Sequence, residues 1–265
     1  MPRNPNAPQY SAPWSIALIG TLTGLVLATV VFAPASWLAS ALQRVSNGQL
    51  RLQDARGSVW QGSARLVLSG GEGSSGEVAL PGTVSWRIRP VWGGASARIS
   101  ADCCTREPLS LRATWDSPGA MSVALDNSLS VWPAGLLAGL GTPWNTVQPQ
   151  GQMALSSTGW GATWTQGRVV LAGQLQIDAT QVASRLTTIA PMGSYRVTLA
   201  GGATPILTVA TLEGSLQLSG RGQWVGQRLR FEGEASASPD RVEALSNLLN
   251  ILGRRDGVRS VIKLG

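Results

Sequence analysis

The 265-residue sequence contains no histidine, one lysine (Lys263) and two cysteines, which stand side by side at 103 and 104. Without imidazole there is no Ser-His-Asp or Cys-His nucleophile and no histidine metal ligand. Two adjacent cysteines do not complete a four-ligand zinc site. No G-x-x-x-x-G-K-[ST] loop occurs, and the lone lysine lies near the chain's end. The carboxylates show no spacing that nominates a pair. The residues therefore point to no catalytic group, no metal and no cofactor, and to a protein that is not an enzyme.

Charge is also scarce. Only 13% of residues are charged, about half the usual share, and 21 basic residues face 14 acidic ones for a net charge of +7. Such a surplus favours anionic partners in general. The arginines fall singly along the strand-like stretches rather than in a stripe, and no nucleic-acid-binding module is recognisable, so nucleic acid is not an expected partner. Phe and Tyr number two each beside 11 Trp, and there are 32 Gly. That mixture suits short strands and tight turns, a mainly β protein with a few short helices.

What the sequence does have is one long apolar run. "WSIALIGTLTGLVLATVVF", Trp14 to Phe32, carries no charge over 19 residues, enough for about 28 Å of helix against a bilayer core of about 30 Å. A transmembrane helix over 14–33 is expected, following a short cytoplasmic tail over 1–13. The competing reading is a cleaved signal peptide, since Ala33-Pro34-Ala35 fits an A-x-A site; the length of the run and its single preceding basic residue, Arg3, favour the uncleaved anchor. The tail's positive charge favours a cytoplasmic N-terminus with the bulk outside, which in a bacterium is the periplasm. Gly20 and Gly24 form a G-x-x-x-G spacing that permits close approach of another helix, or they simply face lipid.

Behind the run, Trp37, Leu38, Ala41, Leu42 and Val45 recur at helical spacing and predict a juxtamembrane helix over 34–47, lying on the membrane or packed under the sheet. The remainder, 48–265, reads as a β-rich domain. Three stretches begin with Gly and alternating apolar residues: "GQLRLQDARGSVWQG" from Gly48, "GQMALSSTGWGATWTQG" from Gly151 and "GSLQLSGRGQWVG" from Gly214. Each reads as a hairpin with a Trp (Trp60, Trp164, Trp224) early in its return strand. Trp60 and Trp224 are expected core anchors, or interface residues if exposed. Further strand pairs are expected across Val91-Trp92-Gly93-Gly94 and across Ser117-Pro118-Gly119, with a loop over 69–77. Helices are expected at Ala134 to Leu140, around Gln181 to Ile189, and over 239–252 with Ser238 as N-cap. Arg254, Arg255 and Arg259 beyond that last helix are the expected electrostatic contact surface for a partner. Cys103 and Cys104 can form a vicinal disulfide, pair with another chain, or stay reduced.

Taken in order, "GSVWQGSARL" behind one N-terminal anchor, "LPGTVSWRIRP", "GSLQLSGRG", "FEGEASASP" and "ALSNLLNILGRRDG" resemble the type II secretion system protein N family. The resemblance implies a single-pass inner-membrane protein of a Gram-negative bacterium with its main domain in the periplasm. It implies an accessory part of the platform that exports folded proteins across the outer membrane, with no enzymatic activity. Its partners would be other inner-membrane components, plausibly protein C, and membrane lipid. The alternative is a binder of lipid or another apolar ligand, with the Trp, Leu and Val residues of a curved sheet lining a groove.

Overall fold

The computed structural model describes residues 14–71, 76–117, 119–165, 167–226 and 228–265. The tail 1–13 with Arg3, residues 72–75 of the expected 69–77 loop and Pro118 lie outside the described residues. The apolar run is helical from Trp14 to Val31 (α1, Trp14–Val31). Two of its threonines, Thr21 and Thr29, return their hydroxyls to the carbonyls of Ala17 and Leu25 at 2.9 and 2.8 Å, which satisfies both within the helix. Its large apolar side chains stay 48 to 76% exposed all around, so no described residue covers them. Among the described residues no helix is long and apolar enough to cross a membrane. The expected span 14–33 is thus corrected to an 18-residue helix of about 27 Å, because Ala33 and Pro34 leave the helix to pair with the sheet.

A second helix, α2 (Ala35–Val45), follows Pro34 and lies against the first strand. Of the two expectations for it, packing on the sheet is the one observed. Ala35 is buried and Leu38 packs beside Ala64 and Trp86, while Trp37 and Val45 remain exposed. Asn47 (φ 50°) and Gly48 (φ 77°) then turn left-handed and end the run.

The rest is one open antiparallel sheet. In chain order its strands are β1 (Leu50–Gly57), β2 (Gln61–Ser69), β3 (Glu77–Ala79), β4 (Val84–Val91), β5 (Gly94–Ala101), β6 (Leu109–Ser117), β7 (Ala120–Leu125) and β8 (Ser128–Pro133). They continue with β9 (Gln150–Thr165), β10 (Arg168–Ala183), β11 (Gly193–Gly202), β12 (Ile206–Gly214), β13 (Leu216–Val225), β14 (Arg228–Ala237), β15 (Arg254–Asp256) and β16 (Arg259–Leu264). Neighbours in sequence are mostly neighbours in space, from β1 at one end to β16 and then β15 at the other. Short β3 and β8 extend the ladder where β4 and β7 stop: β2 offers 61–64 to β4 and 67–69 to β3, and β9 offers 161–165 to β7 and 152–157 to β8.

One face is covered in three patches. α2 lies over β1; a 3-10 turn, Ala134–Leu140, puts Leu136 among Leu80, Val84, Ala101 and Cys104; and α4 (Val242–Leu252) covers the C-terminal strands. A short helix, α3 (Trp144–Val147), places Val147 in the C-terminal cluster with Leu216, Leu245, Leu248 and Leu249.

Three expectations need correction. Trp164 and Trp224 end the outgoing strands β9 and β13, and Trp60 lies in the turn before β2; none is on a return strand. In the third stretch Ser219, Gly220 and Gly222, read as a turn, stay in the paired strand β13, since glycine in a strand makes room for a bulky neighbour as readily as it makes a bend. The ring of Phe231 lies over Gly220 and Gly233, where a Cβ would collide with it, and close beside Gly222. The expected helix around Gln181 to Ile189 does not form: residues 181–183 continue β10, with Val182 opposite Gly193, and 184–189 are turns and bends. The last helix opens with a 3-10 turn, Pro239–Arg241, and Ser238 gives no side-chain cap; its hydroxyl bonds Asp240, which holds that carboxyl below its usual range.

Candidate functional site

The last carbonyls of a helix have no partner within the helix. At the end of α1 the first hairpin supplies them. Trp60 Nε1 donates to the Val30 carbonyl at 2.8 Å, the Val59 N–H donates to the Ala33 carbonyl at 2.9 Å, and Pro34 bridges to Ser58. The same turn is gripped from the sheet side. The Ile88 N–H donates to the Trp60 carbonyl at 2.7 Å, and Trp86 Nε1 reaches the Ser58 and Val59 carbonyls at 3.2 and 3.1 Å. Residues 58–60 therefore form a joint between α1 and the sheet.

This changes the part Trp60 plays. It is half-buried and caps α1, while Trp86, buried at 6%, is the core aromatic at this end, packed over Gly62. The period-two pattern Val84, Trp86, Ile88 carries the signal for Trp86; nothing local in the sequence links residue 60 to residue 30. Trp224 is half-buried opposite Leu229 near the end of the β13–β14 hairpin. Gly20 and Gly24 lie on an open face of α1, where a Cβ would meet nothing within 4 Å.

Of the three C-terminal arginines, Arg254 and Arg259 share an exposed face, since Arg254 pairs with Val261 two residues from Arg259, and Arg255 lies on the other. Arg254 and Arg255 are consecutive in β15 and so point to opposite faces. Arg255 Nε donates to the Gly257 carbonyl at 2.6 Å, and Arg259 lies 3.4 Å from Glu234. Elsewhere, Asp178 on β10 and Arg196 on β11 are directly paired and joined by two bonds of 2.7 and 2.8 Å. Those bonds hold the Asp178 carboxyl below its usual range. Tyr195 beside them is buried, which pushes its phenol up, and it donates to the Leu216 carbonyl.

Cys103 and Cys104 are joined to each other in a disulfide. Cys104 is buried against Leu80, Val84 and Leu136, and Cys103 is exposed. The turn is pinned at its base by Asp102, whose carboxylate accepts from the Thr83 N–H and hydroxyl at 3.0 and 2.8 Å and is held below its usual range by them. Among the described residues no group of three His, Cys, Asp or Glu is placed to hold a metal ion.

Fold and joint together define a mainly β protein, an open antiparallel sheet tied at one end to an uncovered apolar helix. The chain belongs to the type II secretion system protein N family: the model of that family, described as type II secretion system (T2SS), protein N, matches residues 48–261. The match begins at the glycine that ends α2 and takes in nearly the whole sheet, leaving α1 and α2 outside it. Membership places the protein in type II secretion, with other components of that apparatus as its partners. No curated protein and no solved structure matches the chain.

Proposed function

We propose that this chain is a non-enzymatic assembly component of a type II secretion system. In this reading the apolar α1 seats the chain in the inner membrane, and the sheet stands in the periplasm and docks partner subunits such as protein C. The joint at residues 58–60 is the observation that carries the reading. An apolar helix with no covering element is fastened by its carbonyl end to a rigid hairpin, the arrangement needed to hold a folded domain at a fixed place on a membrane. The helical bond from the Phe32 N–H to the Ala28 carbonyl carries the apolar surface one residue past Val31.

Docking by strand addition needs an unpaired edge. The hairpin β13–β14 is paired on both sides, by β12 and β16, and is closed to it. The sheet ends at β1, eight residues long, and at β15, three residues long; β1 is the longer rail. The filling of the sheet's covered face by α2, Leu136 and α4 supports an ordinary core over an acyl groove.

Photo-crosslinking in cells from Leu52 on β1 and from Gly20 and Gly24 on α1 tests the proposal. Capture of other secretion subunits is the expected result. Capture of lipid alone from all three positions would replace it with the apolar-ligand reading. Alkaline carbonate extraction checks the anchor: the full chain stays in the membrane pellet, and Leu22→Asp with Leu25→Asp releases it.

A further inference from the structure

The arginines that fall singly in the sequence are brought together by strand register. Arg87 on β4 lies directly opposite Arg98 on β5, and one pair further along the same face Arg89 and Arg112 flank Ser96. Two pairs back from Arg89 and Ser96, Arg56 on β1 pairs with Ser63, Ser63 with Ser85, and Ser85 with Ser100. Residues two apart in a strand share a face, so all five arginines stand on the face opposite Val84, Trp86 and Ala101. None of the five is in an ion pair with a described residue. Like charges placed directly across an antiparallel pair repel, so this face is arranged for an anion supplied from outside. A concavity of about 540 Å³ opens there, lined by Arg56, Arg87, Arg98, Ser63, Ser85 and Ser100.

The occupant is indicated by where the face stands. β4 runs directly past the joint, since its Ile88 bonds Trp60, which in turn bonds the end of α1. The arginines are thus on the strands at the root of the apolar helix. Past Arg89 the β4–β5 turn carries Trp92, which is 102% exposed, beside exposed Val91 and next to exposed Trp115, whose N–H bonds the Gly93 carbonyl. Arginine interleaved with uncovered tryptophan suits the headgroup layer of a bilayer, where one end of the side chain is apolar and the other meets phosphate.

We propose that this face, Arg56, Arg87, Arg89, Arg98 and Arg112 with Trp92 at its tip, binds the phosphates of anionic lipid headgroups and lays the N-terminal half of the sheet on the membrane surface. The proposal rests on the reading of α1 as a membrane anchor. The test uses the full chain in nanodiscs of phosphatidylcholine alone and of phosphatidylcholine with phosphatidylglycerol, modified with phenylglyoxal and read by mass spectrometry. Arg254, at the other end of the sheet, is the internal control.

The expected result is a modification rate at Arg87 and Arg98 about fivefold lower in the phosphatidylglycerol discs, with Arg254 unchanged. Arg89→Gln with Arg112→Gln weakens that protection while the chain stays in the disc. Three results overturn the proposal while the anchor stands: equal reactivity in both discs with the chain retained, the same protection by inorganic phosphate in detergent, or protection only when other membrane proteins are added. Loss of the chain from the discs overturns the anchor and this inference together.

Discussion

The two ends of the sheet cover the same kind of apolar face with different material. At the C-terminal end, α4 brings Leu245, Leu248 and Leu249, each at most 1% exposed, onto Leu216, Tyr195 and Ala235. At the N-terminal end, α2 brings Ala35 and a half-buried Leu38, and the volume is made up by Trp86 of the sheet itself. The C-terminal end is therefore held by helix-to-sheet burial, the N-terminal end by a hydrogen-bonded joint and a single aromatic. The larger leucine cluster removes more apolar surface from water, and stability is expected to be higher there.

The sharpest way to break this comparison is Leu248→Ala, expected to cost about 2–5 kcal/mol in urea unfolding. Leu38→Ala should cost clearly less, because that side chain is only partly removed from water. Equal losses would mean the two ends are one cooperative unit. Next, Gly220→Ala drives a methyl into the Phe231 ring and is expected to cost about 1–3 kcal/mol, much of it recovered when Phe231→Leu is added. Gly62→Ala, against Trp86, is the matching change at the other end.

Trp60→Phe keeps an aromatic ring and removes the bond to Val30, at an expected cost of about 0.5–1.5 kcal/mol. Its more telling readout is faster hydrogen exchange at the Val59 amide, with the amides of α4 unchanged. The smallest effect belongs to Asp178→Asn. The Asp178–Arg196 pair is partly exposed, at 25 and 42%, so the loss at neutral pH is about 0.5–1 kcal/mol. Because the folded-state carboxyl is held low, wild type keeps its advantage above about pH 4 and loses it as pH falls through the folded-state value, where the two proteins converge. An advantage that does not decline at all as pH falls below about 4 would show that the pair matters through packing and not through charge.

Much of the architecture was legible because it is written in local periodicity. The uncharged run makes α1, the spacing of Val242, Leu245, Leu248 and Leu249 makes α4, and alternation marks β4 and β5 on either side of Trp92-Gly93. The misread places are those where a residue's local habit and its packing disagree. Ser-Gly-Arg-Gly in β13 has the composition of a turn, yet its glycines lie under Phe231. Gln181 to Ile189 is expected as a helix, yet a bulge carries β10 through Gln181 and Val182 and the residues after it turn.

By itself the sequence determined the class of most elements and the family, since helix and strand periods and the order of short motifs depend only on near neighbours in the chain. The tertiary structure alone decided the joint of Trp60 with Val30 and the line of Arg56, Arg87 and Arg98. Such contacts depend on the register of paired strands, which every turn length and bulge between them sets together, and a shift of one residue would carry each arginine to the other face.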